Sequence, residues 1–192
     1  VARFVVARAD DHVIFTRNTT DALRLLANAL PRRTQVFTWD SAHHAAQFAW
    51  AGRSIHRLPI PASTQDALDL LTQALESSTA ESKLVVITGA CNVTGEVWPV
   101  AELASIATEF GARTVLDAAQ LAPHHPVDID ELGVDYVALS GHKTYAPYGA
   151  GALVGAGVDD DEVVVDDDEM VEDDEEKGPG EAVKAVLSTN PR

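Results

Sequence analysis

The sequence has one cysteine, Cys91, and one methionine among its 192 residues. A single thiol cannot form a disulfide within the chain, and this scarcity fits a reducing, cytoplasmic setting. No uninterrupted apolar run approaches the roughly 20 residues that span a bilayer as a helix, and no signal-peptide pattern opens the chain. These absences exclude a disulfide-stapled scaffold and predict a cytoplasmic protein with no membrane partner.

Basic residues are also scarce, with 14 Lys and Arg against 30 Asp and Glu and a formal net charge of −16. The excess is local, because thirteen of the eighteen residues between Asp159 and Glu176 are acidic. Such a run repels itself and buries little apolar surface, so residues 158–192 are predicted to be a solvated, disordered tail. Neither part has the basic face that nucleic acid requires, so no nucleic-acid partner is expected.

Residues 1–157 alternate apolar, β-prone runs with amphipathic stretches, the rhythm of an α/β domain. Four helices are predicted: one capped by Thr19 and stopped by Pro31, one over 43–51, one with three inward leucines, and one that begins at Pro99. The predicted strands cover 13–16, 36–38, 54–58, 84–88, 113–117, 135–139 and 150–155.

Lys143 follows one of these strands in the stretch Ser140-Gly141-His142-Lys143. A lysine at a strand end, beside a hydroxyl and an imidazole, is well placed for covalent chemistry with a carbonyl once its amine is deprotonated. The alternative is a surface lysine in a loop rich in glycine and proline.

Other polar motifs also follow predicted strands. Asp117 ends one strand and has Gln120 three residues later, Asn92 follows another, and Thr19-Thr20 and His43-His44 come after two more. In a mostly parallel sheet the carboxyl ends of the strands share one edge, where ligands bind. The motifs are therefore expected to meet at one site.

Together, these motifs resemble the large domain of the class V aminotransferases, which are fold-type I enzymes dependent on pyridoxal 5′-phosphate (PLP), and especially the cysteine desulfurase and selenocysteine lyase branch. The resemblance runs from about Val13 to Gly155. It implies a three-layer α/β/α large domain over 1–157, with the C-terminal small domain missing. Because the chain opens on Val1 close to a strand, a missing N-terminal segment is expected too.

The resemblance also implies a role for each motif. Lys143 would hold PLP through a Schiff base and move the Cα proton, and His43 would stack on the ring and take part in proton transfer. Asp117 would pair with the ring nitrogen and Gln120 would reach the phenolic oxygen of the cofactor, while Asn92 would reach the same oxygen or the substrate. The implied phosphate cup consists of Thr19, Thr20, Ser140 and His142.

Simpler interpretations stay open for several of these residues. Asp117 would then only cap a short helix at Ala118, and Thr19 would only cap its own helix. A metal site built from His43, His44, His124 and His125 is a further alternative, although no cysteine or carboxylate spacing accompanies these histidines. Cys91 is either a sulfur-carrying thiol or, more in keeping with a lone cysteine, a small hydrophobe.

Three functions compete. The first is a desulfurase-like PLP enzyme acting on an amino acid, with cysteine a candidate substrate. The second is an epimerase or lyase of the same family, similar to isopenicillin N epimerase or kynureninase. The third is a non-catalytic remnant with an acidic interaction tail. The family's sites are shared across a homodimer and completed by a C-terminal domain, so a truncated chain with a PLP pocket and impaired turnover is expected.

Overall fold

A computed structural model of the protein describes residues 1–157, and the predicted tail over 158–192 lies outside this range. Seven strands form one sheet in the order β1-β7-β6-β5-β4-β2-β3. The strands are β1 His12–Thr16, β2 Gln35–Trp39, β3 Ile55–Leu58, β4 Lys83–Thr88, β5 Arg113–Asp117, β6 Tyr136–Ser140 and β7 Gly151–Gly155. The α-helices are α1 Thr19–Ala29, α2 His44–Phe48, α3 Thr64–Glu76 and α4 Val100–Glu109.

The sheet is mostly parallel, as predicted. Strands β2 to β6 pair in parallel with their neighbours, whereas β7 is antiparallel to both β1 and β6. Gly151 at the start of β7 pairs with Thr16 and Ser140, the last residues of β1 and β6. One edge of the sheet therefore gathers the carboxyl ends of all strands except β7, and this edge carries the predicted motifs.

Helices cover both faces of the sheet. Successive strand residues point to opposite faces, so an apolar strand presents apolar side chains on both sides. On β4, Val85 and Ile87 join the apolar cluster that includes α3 and α4. Leu84 and Val86 join the cluster that includes α1 and α2. Strand β4 is thus covered by helices on both faces, and the predicted three-layer α/β/α architecture is confirmed.

Two helix starts differ from the prediction. Asn18, not Thr19, is the N-cap of α1, and its side-chain oxygen accepts the N–H of Asp21 at 3.0 Å. The predicted helix over 43–51 is shorter, because His43 is an N-cap whose Nδ1 accepts the N–H of Ala45 at 3.1 Å. In both cases a side chain that satisfies an unpaired backbone donor fixes the start of the helix.

All three tryptophans of the chain are buried. Trp39 and Trp98 meet edge to face with ring centroids 5.1 Å apart. Trp50 lies on the other face, and its indole N–H donates to the carbonyl of Ala46 at 2.7 Å. Within the described residues, no helix has the length and apolarity needed to cross a membrane.

Candidate active site

A cavity of about 290 Å³ opens at the carboxyl edge of the sheet. It brings together every residue that the sequence predicted for the cofactor site. Those nine residues are Thr19, Thr20, His43, Asn92, Asp117, Gln120, Ser140, His142 and Lys143. Lys143 and Asp117 lie on loops or strand ends 26 positions apart in the chain, yet they line the same cavity.

The N-terminus of α1 forms one wall of the cavity. Ser140 Oγ accepts the backbone N–H of Thr19 at 3.0 Å and lies 2.9 Å from its hydroxyl, so α1 is tied to the end of β6. Thr20 follows in the first turn of α1, where a backbone N–H has no acceptor inside the helix. This N–H, the threonine hydroxyls and the helix dipole together suit an anion.

Close backbone approach explains two glycines beside this wall. A Cβ on Gly151 would lie 2.7 Å from the Cα of Asn18, and a Cβ on Gly141 would lie 2.6 Å from the carbonyl oxygen of Ala150. Both contacts are too short for any other residue type. Glycine at position 151 lets the start of β7 lie against the start of α1, and glycine at position 141 lets the segment after β6 lie against Ala150.

Asp117 is 6% exposed at the end of β5. Its Oδ1 accepts the N–H of Ala119 at 3.0 Å, which makes a local turn, so capping is part of its role. Burial raises the pKa of Asp117, while this N–H and the charges of His43 and Lys143 act in the opposite direction. A buried carboxylate with so little compensation would gain from a cationic ligand.

His43 projects from the N-cap position of α2 into the same cavity, whereas His44 is not part of its lining. The bond from Ala45 N–H to Nδ1 makes Nδ1 an acceptor. In the neutral ring, Nε2 is therefore the protonated nitrogen. Only one histidine of the pair therefore lies at the cavity.

The loop after Lys143 is strained and carries exposed aromatic rings. Tyr145 has a φ of 63°, which is uncommon for a residue other than glycine and costs about 1 kcal/mol. Its side chain is 94% exposed, and that of Tyr148 is 89% exposed. Tyr148 contacts His142 with ring centroids 5.5 Å apart.

Thr88 is a cavity residue that the sequence analysis assigned only to a strand. It ends β4, is 8% exposed, and its buried hydroxyl has no hydrogen-bond partner within residues 1–157. A buried hydroxyl without a partner is costly. Its position at a strand end, the same signal that pointed to Asp117, would have identified it.

A neighbouring cavity of about 450 Å³ contains Cys91, His124 and His125 and shares Asn92 and Gln120 with the first. A hydrogen bond from the Thr94 hydroxyl lowers the pKa of the Cys91 thiol. No three His, Cys, Asp or Glu side chains in the described part of the chain are grouped to hold a metal ion. The histidine metal site considered from the sequence is therefore not formed.

Comparison with known proteins decides the family. The family model described as Aminotransferase class-V matches residues 1–159. The chain belongs to the class V aminotransferase family. This confirms the resemblance inferred from the strand-end motifs.

Relatives of this class V chain include cysteine desulfurases. The chain is 38% identical over 164 residues to a probable cysteine desulfurase of Aeropyrum pernix, and the alignment covers 80% of the chain and 39% of that protein. It is 35% identical over 167 residues to a probable cysteine desulfurase of Mycolicibacterium paratuberculosis, covering 81% of the chain and 24% of that protein. The chain thus spans two fifths or less of the length of these relatives.

Solved structures share the fold. The cysteine desulfurase CsdA of Escherichia coli, solved in its S-sulfonic acid form, superimposes with a TM-score of 0.71 at 30% identity, covering 80% of this chain and 41% of that one. An apo cysteine desulfurase of Thermococcus onnurineus gives 0.65 at 29% identity, covering 79% and 40%. These matches agree with a fold-type I large domain.

Proposed function

We propose that this class V chain binds PLP at the described cavity and belongs to a cysteine desulfurase-like enzyme that acts on an amino acid. The observation that carries the proposal is the meeting of Lys143, Asp117 and the start of α1 in one cavity. PLP has an aldehyde, a basic ring nitrogen and a phosphate. The cavity offers an amine, a buried carboxylate and an anion-binding helix start, so the available groups fit.

When bound, PLP supplies the electron sink that accepts the pair released as a bond at the amino-acid Cα breaks. Asp117 holds the ring nitrogen in its protonated form, and this ion pair compensates the buried carboxylate. Lys143 would hold the cofactor through its Nζ, and the same amine would be the base that takes the proton from the amino-acid Cα. His43 stacks against the ring and offers Nε2–H as a second proton donor.

The remaining lining residues orient the cofactor. Thr19, Thr20, Ser140 and His142 bind the phosphate, with Ser140 also fixing the position of α1. Gln120 donates to the phenolic oxygen, and Asn92 donates to the same oxygen or to the substrate. Held at its phosphate, ring nitrogen and phenolic oxygen, the cofactor would be fixed in one orientation for the substrate.

The names of the relatives favour cysteine as the substrate. The family resemblance implies a homodimer as the working form, and the single cysteine fits a cytoplasmic setting. Tyr145 and Tyr148 support the dimer, because two fully exposed aromatic rings beside a site are typical of a surface that a partner covers. Sedimentation of the purified chain at several concentrations tests this assembly; a monomer at all of them would contradict it.

Borohydride trapping tests the cofactor assignment. The chain has only four lysines, and Lys83 is the other one in the described part, where it donates to the carbonyl of Phe110 at 3.2 Å. PLP followed by borohydride is expected to label Lys143 in the wild type and in K83A, but to give no stoichiometric label in K143A. Labelling spread equally over all lysines would overturn the assignment.

Product analysis separates the candidate reactions. Alanine formed from cysteine indicates a desulfurase, whereas inversion of an amino acid or cleavage of a larger side chain indicates the alternative family reactions. The sequence predicts impaired turnover for the 192-residue chain, so labelled Lys143 with little alanine is the expected combination. Brisk alanine formation would contradict impairment without affecting the PLP assignment.

A further inference from the structure

A third cavity, of about 540 Å³, lies away from the candidate active site. It is lined by the arginines Arg24, Arg32 and Arg53, together with Asn28 and Phe48 among others. No acidic side chain of residues 1–157 lines it. In a chain with only 14 Lys and Arg, three guanidinium groups around one cavity are a marked concentration of positive charge.

Only Arg53 has a structural task there. Its guanidinium donates to the carbonyls of Ala27, Leu30 and Pro31, and so satisfies the carboxyl end of α1. Burial and, to a smaller extent, the charge of Arg32 lower the pKa of Arg53. Arg32 and Arg53 therefore lie close enough to repel each other, and an anion between them would relieve that repulsion.

Arg24 and Arg32 are exposed and have no ion pair among the three salt bridges of the described residues. The charge of Arg24 lowers the pKa of the Asp21 carboxyl, but that carboxylate is already paired with Arg17. The positive charge of the cavity is thus not neutralised by residues 1–157. Arginine forks bind carboxylates in bidentate geometry, which makes carboxylates the matching ligand class.

The chain supplies such carboxylates close by. The run from Asp159 to Glu176 begins four residues after Gly155, the last residue of β7. Because β7 is antiparallel to its neighbours, it ends at the edge where the parallel strands begin. Arg32 precedes the start of β2 by three residues, and Arg53 precedes that of β3 by two, so the cavity lies at this same edge.

The run is long enough to reach the cavity. Four strand spacings separate β7 from β2 in the sheet order, which is about 19 Å. Eighteen residues can extend to roughly 60 Å. A tether of this length also gives the run a high effective concentration at the cavity, of the order of millimolar.

We propose that the acidic run 159–176 binds within its own chain at the cavity formed by Arg24, Arg32 and Arg53. This contact neutralises the cavity and covers the edge of the sheet opposite the candidate active site. It holds whether or not the chain binds PLP. It also assigns a use to the acidic run, which the proposed function leaves unused.

Carbodiimide cross-linking of the full 192-residue chain tests the contact, since this reagent joins touching carboxylates and amines. Variant R32K places an amine in the cavity, whereas R33K places one at the next, equally exposed position outside its lining. In dilute protein we expect at least fivefold more links between position 32 and residues 159–176 than from position 33, and a loss of this difference in 0.5 M salt. Equal yields, or links only between chains, would overturn the proposal.

Small-angle scattering gives an independent readout without a new amine. The double variant R24Q/R32Q is expected to enlarge the radius of gyration at low salt to the value that the wild type reaches in 0.5 M salt, while R33Q leaves it unchanged. Circular dichroism confirms that the fold is kept, as expected for exposed side chains. A double variant as compact as the wild type at low salt would refute the contact.

Discussion

Thr88 and Asp117 are register partners at the ends of the parallel strands β4 and β5, and both line the candidate active site. One contributes a buried hydroxyl without a partner, and the other a buried carboxylate with a raised pKa. Both groups cost folding free energy, because burial removes hydration that residues 1–157 do not fully replace. Two neighbouring side chains that each destabilise the fold are typical of a ligand-binding site.

Replacing Asp117 with Asn is expected to stabilise the protein without PLP. A carboxylate whose folded pKa is raised lowers stability as pH rises from its unfolded pKa through the folded one. At pH 8, D117N should therefore unfold in urea with a free energy about 0.5–2 kcal/mol above that of the wild type. The difference should shrink towards pH 4, and PLP should stabilise D117N less than the wild type.

The control for this change is D135N at the opposite edge, where the Asp135 carboxylate accepts the N–H and hydroxyl of Thr114 at 2.7 and 2.9 Å. Loss of this carboxylate should leave the PLP-induced stabilisation unchanged. A D117N protein that is less stable than the wild type at pH 8 without PLP would contradict the prediction.

Replacing Thr88 with Val removes the buried hydroxyl while keeping the side-chain shape. The free energy of unfolding should rise by up to about 1 kcal/mol, and the dissociation constant for PLP should increase about fivefold, as for one lost hydrogen bond. Calorimetry and absorbance titration measure the two effects. T88S should restore the affinity.

Thr38 offers a matched comparison, because its hydroxyl is also buried without a partner in the described residues but lies outside the cavity lining. T38V should change stability in the same direction and leave PLP affinity alone. If both valine variants bind PLP like the wild type, Thr88 does not contact the cofactor.

Ser140→Ala should both destabilise the protein and weaken anion binding. The N–H of Thr19 loses its acceptor, which costs about 1–3 kcal/mol, and α1 loses its tie to β6. S82A is the control, since Ser82 lies 2.9 Å from the hydroxyl of Thr34 in a similar pair far from the site. The rise in melting temperature with added inorganic phosphate should be smaller in S140A alone; equal rises in both variants would argue against the phosphate cup.

Cys91 should react with iodoacetamide at a lower pH than a free cysteine, because the Thr94 hydroxyl lowers the pKa of its thiol. The pH midpoint of alkylation should move upward in T94V and return in T94S. Mass spectrometry gives the rate directly, since the chain has one cysteine. An unchanged midpoint in T94V would show that the hydroxyl does not stabilise the thiolate.

Much of the fold was predictable because its signals are local. The apolar strands, the rhythm of strands and helices, and the polar residues at strand ends are all visible in the sequence. The same logic gathered nine residues that the structure brings to one cavity. Their chemical roles stay predictions.

What the sequence could not give depends on distant partners. Thr19 was expected to cap its helix, but its hydrogen bonds go to Ser140, 121 positions later, and Asn18 takes the cap. The orphan hydroxyl of Thr88 and the meeting of Arg24 with Arg53 likewise arise only when separate strands and helices pack together. The periodicity of the sequence does not predict these contacts between distant residues.

The burial of all three indoles gives the protein its own optical reporters. Trp39 and Trp98 are close enough, at 5.1 Å, for their transitions to couple, so the near-ultraviolet dichroism of this pair follows the packing around the end of β2. A pyridoxal chromophore bound a short distance away would quench their emission by energy transfer. Folding and cofactor loading can thus be followed in one unlabelled sample, by dichroism for the first and fluorescence for the second.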